Sequence, residues 1–300
     1  MREPEKSRIV VGVAPTRDHD AALEYAAAEA ERRGSGIRVV VVMHPHWPGP
    51  DGLVDVELVG DELVRTDLAL LRQCEERLAP WLSGSLPVTT EVCHGAVVPS
   101  LVAASRDAEL VVLQHHRMSL PHHLPTLSVT NGVASRVVAP VVAVPDGWHE
   151  RTSAGPPVVA AIENAALSGQ VAEQALTCAR RTGSKVNLMR AWSYADDLAL
   201  DDPLFRTATV EEWEGHLQAE LEREFADLVA AYPDVPSQIL VVHGQAAYVL
   251  ARVTALSRLL VIGRHEPRRP HGSHLGPVTR AVLTHGRCPV MVVDARRRTP

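Results

Sequence analysis

Residues 259–293 read LLVIGRHEPRRPHGSHLGPVTRAVLTHGRCPVMVV, and their types and spacing could hold an anion. An apolar run breaks at Gly263 into a loop carrying Arg264, His265, Arg268 and Arg269. After Gly276, Pro277 and Val278 an amphipathic helix follows, then a second apolar run. The pattern is strand, loop, helix, strand. Glycine lets a backbone approach a phosphate closely, and a helix N-terminus points N–H groups at negative charge. Two residues oppose that chemistry. Glu266 brings a negative charge into that loop, and at about 5 Å and an effective dielectric near 20 two unit charges repel by roughly 3 kcal/mol. Pro277 has no N–H to offer, although proline suits the first turn of a helix.

Other side chains invite chemistry with less support. Glu163 and Asn164 follow the apolar run 158–162, where their side-chain oxygens can accept hydrogen bonds. His115, His116, His122 and His123 crowd one loop, but adjacent histidines in an extended chain point apart, and the spacing is not that of a metal site. No metal is expected. His94-Gly95 and His243-Gly244 each follow a strand, with the glycine read as a turn residue. The four cysteines show no C-x-x-C spacing and read as reduced, mostly buried thiols. No Walker A loop, dinucleotide GxGxxG or G-x-S-x-G elbow is present, and no enzyme activity is expected.

The elements that would position these residues alternate along the chain. Strands are expected at 8–13, 37–43, 87–92, 110–113 and 141–144, and helices at 20–33, 58–82, 97–105 and 130–138. Continuous apolar strands separated by helices indicate a parallel sheet covered on both faces. An offset of 149 positions then lays one half of the chain on the other without a gap. It places Glu24 on Glu173, Gly34-Ser35 on Gly183-Ser184, His94-Gly95 on His243-Gly244, His116 on His265 and Pro140-Val141 on Pro289-Val290. This is an internal duplication. Domains are assigned to 1–146 and 157–296, with the Pro-, Gly- and Ser-rich stretch 147–156 as linker.

The loop at 263–277 and its flanks resemble the universal stress protein family. In that family the loop after the fourth strand reads Gly, two residues, Gly, nine residues, Gly, then Ser or Thr, and wraps ATP phosphates in the nucleotide-binding members. Here those places hold Gly263, Glu266, Gly276 and Pro277, followed by the family-like run Val278 to Leu283 and Arg287-Cys288-Pro289-Val290. The resemblance implies an α/β fold of two tandem doubly wound domains. Each would be a five-stranded parallel sheet in the order 3-2-1-4-5 with helices on both faces. It also implies intramolecular pairing of the domains through their fifth strands, at Val141 and Val290. The family's first strand ends in an Asp that contacts adenosine, where the second copy has Glu163 and the first has Ala14. The first copy sets Gln114, Arg117 and Leu127 on the three glycines and keeps only Ser128, so it is expected to hold no nucleotide. ATP is expected in the second copy alone, if anywhere, with Glu163, Asn164, Gly263, Arg264, His265, Gly276, Pro277 and Val278 as its contacts. The loop holding Trp192 and Tyr194 is the candidate for closing that pocket.

Two functional expectations follow. One is a non-enzymatic stress-response or regulatory module with degenerate nucleotide sites, and the other is an ATP-binding sensor that uses the second domain only. A protein partner of unknown identity is expected. A formal net charge of −6 and a pI near 6.2 argue against nucleic acid, and no apolar run has the roughly 20 residues of a membrane span. A cytoplasmic protein is expected.

Overall fold

The computed structural model of the chain describes residues 8–15, 17–43, 56–84, 86–115, 129–150, 155–193, 209–264 and 275–294, with 56–63 described by their backbone alone. The chain divides into two units, Met1–Glu150 and Arg151–Pro300. In the first, β1 (Arg8–Val13), α1 (Asp20–Arg33), β2 (Gly36–Met43), α2 (Val56–Leu78), β3 (Val88–His94), α3 (Val97–Ala104), β4 (Ala108–His115), α4 (Val129–Ala134) and β5 (Val141–Pro145) follow in order. The second repeats the plan: β6 (Val158–Ala161), α5 (Ala165–Thr182), β7 (Val186–Trp192), α6 (Val210–Ala230), β8 (Ser237–His243), α7 (Ala246–Val253), β9 (Leu259–Arg264), α8 (Pro277–His285) and β10 (Val290–Asp294).

Every strand pairs in parallel within its unit. In the first, β1 lies between β2 and β4, with β3 outside β2 and β5 outside β4. In the second, β6 lies between β7 and β9, with β8 outside β7 and β10 outside β9. Across each sheet the strands therefore run third, second, first, fourth, fifth. Connections leave the first and fourth strands in opposite directions, which opens a crevice beyond their carboxyl ends.

The inner strands are apolar throughout because both faces are covered. Val10, Val11, Val39, Val40, Leu110, Val111 and Val112 are fully buried, as are Val158, Val159, Leu260 and Val261. Alanines bring α1 close to its sheet, with Ala22, Ala26, Ala27 and Ala30 fully buried. The helix ends at Gly34, whose N–H returns to Ala30 O, and α5 ends the same way at Gly183 on Ala179 O.

Three local expectations change. Pro80 cannot continue an α-helix, so α2 stops at Leu78 and a 3-10 turn covers Ala79–Trp81. Helix α4 ends at Ala134, short of residue 138. There the Ser135 hydroxyl donates to Gly132 O at 2.9 Å, and the Arg136 and Val137 N–H groups both turn onto Val133 O at 2.9 Å. The third change concerns residues 147–150, read from composition as linker, which fold back onto α1. Trp148 meets Tyr25 edge to face with ring centroids 5.3 Å apart, and the Glu150 N–H donates to Glu24 Oε1 at 3.0 Å. Arg32 pairs with Glu150 at 2.8 Å; burial opposes the Arg32 charge, but Glu150 and Glu29 together hold its pKa above the usual value. No helix among the described residues is long and apolar enough to cross a membrane.

Cys74, Cys178 and Cys288 are buried and Cys93 is half-buried, all as free thiols. Burial pushes Cys288 up to about 12 and Cys74 up to about 11. Burial and then the Glu91 carboxylate, which accepts from its Sγ at 3.3 Å, push Cys93 up to about 11. Folded-state values above the unfolded one mean that the thiols favour folding up to the unfolded pKa, and that this contribution is lost as pH climbs through the folded values. Iodoacetamide at pH 8 should therefore add at most one label per native chain within minutes, and four after denaturation. Mass spectrometry showing rapid labelling of Cys288 in the folded protein would contradict this burial.

Candidate functional site

In the second unit the crevice is an open cleft of about 550 Å³. It is formed by the carboxyl ends of β6, β7 and β9 and by the amino ends of α7 and α8. Its floor is apolar, with Ala161, Ile162, Val171, Met189, Leu250 and Ile262, and polar side chains stand around it at Glu163, Arg190, Ser193, Gln245 and Arg264. An apolar cavity of this size with a few convergent polar groups has the makeup of a small-molecule site.

The backbone at the end of β6 is pinned before any ligand arrives. The Glu163 N–H donates to the buried Ser168 hydroxyl at 2.9 Å, and the Ala165 N–H donates to Glu224 Oε2 at 2.8 Å. Asn164 Oδ1 caps α5 by accepting the Leu167 N–H at 2.9 Å. Opposite, the Thr279 hydroxyl, 2 % exposed, donates to Gly263 O at 3.2 Å and ties the first turn of α8 to the end of β9. Gly276 is the N-cap of α8 and Pro277 occupies its first turn. The Arg280 N–H already returns to Gly276 O at 3.1 Å, while Val278 and Thr279, whose N–H groups precede it, line the cleft. Burial lowers the Arg264 pKa and Asp294, its register partner on β10, raises it. A half-buried guanidinium gains from an anion placed beside it.

Of the eight residues expected as contacts, Glu163, Gly263, Arg264, Gly276, Pro277 and Val278 line the cleft. Asn164 does not, because its side chain is spent on the helix cap. His265 lies outside the described residues, as do Glu266, Arg268, Arg269, Arg117, Leu127, Ser128 and the histidines at 116, 122 and 123. Among the described residues no group of three His, Cys, Asp or Glu could hold a metal ion. Trp192 is the last residue of β7 rather than a loop residue, and it lines the cleft. It is 3 % exposed, packs with Trp213 and Leu217, donates its indole N–H to Glu214 at 3.3 Å and lies 4.6 Å from the His243 ring. Tyr194 lies outside the described residues.

Arg190, Ser193, Gln245 and Thr279 were not singled out from the sequence. A signal for the cleft was nonetheless present in the 149-residue offset, which sets small residues of the second copy on larger ones of the first. Ala191, Ala246, Ala247 and Gly263 fall on Val42, Val97, Val98 and Gln114.

At the equivalent place in the first unit, Gln114 and His19 stand where the second has Gly263 and Ser168. Gln114 is buried, accepts the Ala22 N–H on Oε1 at 3.2 Å and donates from Nε2 to Asp146 at 2.9 Å. Leu113 and Leu101 close over Gly12, where an added Cβ would meet them at 2.6 and 3.2 Å. The His19 imidazole is buried, with Nε2 2.8 Å from both the N and the O of Ala14. One turn is common to both units: Gly95 and Gly244 take φ of +122° and +146°, and their N–H groups return to Met43 O and Trp192 O.

The profile of the Universal stress protein family matches residues 6–145 and again 156–294. A universal stress protein of Mycobacterium tuberculosis is 30% identical over 301 residues, covering 95% of this chain and 94% of the relative. A second from the same species is 29% identical over 312 residues, covering 97% and 99%. Among solved structures, a universal stress protein from Archaeoglobus fulgidus DSM 4304 superimposes with a TM-score of 0.69 at 15% identity, covering 96% of each chain.

Gln114→Leu should remove both hydrogen bonds while keeping most of the volume, leaving the Ala22 N–H without its acceptor. The expected cost is about 1–3 kcal/mol, read as a lower urea midpoint for the first unit. An unchanged midpoint would mean that Gln114 only occupies space.

Proposed function

The chain belongs to the universal stress protein family as a tandem member with two such domains, and from that premise we propose that it is a nucleotide-binding sensor using the second unit only. The first unit serves as a nucleotide-free companion. The observation that carries this reading is the contrast between the units: an open cleft bounded by Glu163, Gly263, Arg264 and the start of α8, against buried Gln114 and His19 side chains at the places of Gly263 and Ser168. Phosphate would lie against the Val278 and Thr279 N–H groups and Arg264, the ribose beside Glu163, and the base over the apolar floor. ATP is the ligand that the family resemblance nominates.

The role is regulatory rather than catalytic. Among the described residues of the cleft the one carboxylate is Glu163, and the Ser168 and Thr279 hydroxyls are engaged by backbone, the first accepting the Glu163 N–H and the second donating to Gly263 O. A cytoplasmic setting suits the protonated free thiols, and the output would pass to a protein partner. The competing reading, with both sites degenerate, draws on Pro277, which leaves the first turn of α8 one donor short.

One experiment separates the two. Nucleotide released by denaturing the purified chain and resolved by ion exchange should amount to no more than one per chain. It should fall at least about tenfold in Gly263→Gln, which copies into the second unit the residue found there in the first. Equal nucleotide in parent and variant would place the ligand elsewhere, and none in the parent would favour the degenerate reading.

A further inference from the structure

In the second unit α5 and α6 cover one face of the sheet and α7 and α8 the other, because parallel crossovers are right-handed and the two pairs run from β6 in opposite directions. Charge is divided between those faces. Helix α6 exposes Glu211, Glu212, Glu222, Glu224 and Asp227 against one exposed arginine, Arg223. Among the described residues from 244 to 293 there is no Asp or Glu, and Arg252, Arg280 and Arg287 are exposed. None of these three arginines pairs with a carboxylate among the described residues.

The arginines share one surface with two large exposed side chains. Helix α7 packs against α8, and the Arg287 N–H donates to Thr254 Oγ1 at 2.9 Å, which holds the chain after α8 against the end of α7. Two residues before Thr254, the Arg252 guanidinium stands 5.5 Å from the Tyr248 ring centroid and donates to the Tyr248 hydroxyl at 3.0 Å. Tyr248 and Arg252, four apart, lie on one stripe of α7, and Leu256 follows in the 3-10 turn Thr254–Leu256 that continues the helix. Tyr248 is 61 % exposed and Leu256 73 %.

The fold does not call for this set. Where the second unit has Tyr248, Arg252, Leu256, Arg280 and Arg287, the 149-residue offset places Pro99, Ala103, Asp107, Asn131 and Val138 in the first. Tyrosine and arginine are side chains that carry binding energy at protein interfaces, and covering Leu256 would remove apolar area from water. Three arginines make a short track for a phosphate backbone, and a net charge of −6 opposes one. The acidic α6 of a second copy exposes no large apolar side chain to cover Tyr248 and Leu256, and that contact would be head-to-tail and open-ended.

We propose that the α7–α8 face of the second unit is a docking surface for a separate protein that presents an acidic segment carrying apolar side chains. Its carboxylates would pair with Arg252, Arg280 and Arg287, and its apolar side chains would cover Tyr248 and Leu256. The proposal does not depend on what the cleft holds.

Fluorescence anisotropy of a labelled helical peptide, built from Glu with Leu at every third or fourth position, tests it on the intact chain. The peptide is expected to bind, and to bind at least about tenfold more weakly to the double variant Arg252→Glu, Arg287→Glu. Leu256→Ser should weaken it about fivefold, as should Ser in place of Leu in the peptide. Circular dichroism would report that each variant is folded. No binding of the Glu/Leu peptide, equal binding by the folded variants, or equal binding of the Glu/Ser peptide overturns the proposal. A DNA duplex of about 20 base pairs binding as tightly as the peptide would make the face a nucleic-acid site. Self-association in sedimentation that the double variant abolishes would make the occupant a second copy, and either result overturns the proposal too.

Discussion

Each unit must satisfy one backbone N–H at the carboxyl end of its first strand, and the group that does so governs what that end can hold. Both hydrogen bonds are part-buried, where water only partly replaces a lost acceptor. In the second unit the acceptor is the Ser168 hydroxyl, 2.9 Å from the Glu163 nitrogen, a single small atom that leaves the space in front of the strand open. In the first it is the His19 imidazole, 2.8 Å from the Ala14 nitrogen, and the ring occupies the space a hydroxyl leaves. The two residues fall on each other at the 149-residue offset. The same backbone requirement is met twice, once compatibly with a ligand and once not.

Packing around that point follows the same division. Where the second unit has Ala191, Ala246 and Ala247, the first has Val42, Val97 and Val98, and where the second has Gly263 the first has Gln114. Close-packed interiors do not accept added methyl groups unless something else yields. In the first unit Gly132 yields, since an added Cβ there would meet Val98 Cγ2 at 2.8 Å, while the second unit carries Ala281 opposite its smaller Ala247. Gly12 under Leu113 and Ala161 under Ile262 are a second exchange of the same kind. The two interiors are alternative solutions to one backbone.

Periodicity and the glycine stops made the strands, most helices and the duplication legible, because they depend on residue type within a few positions. The strand-end candidates Glu163, Gly263, Arg264 and Gly276 were legible for a related reason: the carboxyl edge of a parallel sheet follows from the order of elements. Arg190, Gln245 and Thr279 were not, since they come to line the cleft from β7, the N-cap of α7 and the first turn of α8 only once the sheet order is set. Asn164 shows the converse limit. A polar residue beside a strand end can serve a ligand or a helix, and its type alone does not say that Oδ1 is taken by the Leu167 N–H. Trp192 looked like a loop aromatic because no local pattern announces Glu214, which accepts from both its indole and the His243 backbone N–H.

These differences give the units different energetics. In the first unit the buried Gln114 side chain bonds to the Ala22 N–H and to Asp146, and the buried His19 ring accepts the Ala14 N–H. The second unit has an apolar floor and a half-buried Arg264, whose charge burial disfavours and Asp294 supports. A ligand that covered the floor and brought an anion to Arg264 would add apolar burial and charge pairing together. By mass action, occupancy at a hundred times the dissociation constant would add about 2.7 kcal/mol to the stability of the second unit and nothing directly to the first. Ligand concentration would thereby change the stability of one half of the chain against a fixed reference in the other, which gives a duplicated fold whose two sites differ a physical basis for sensing.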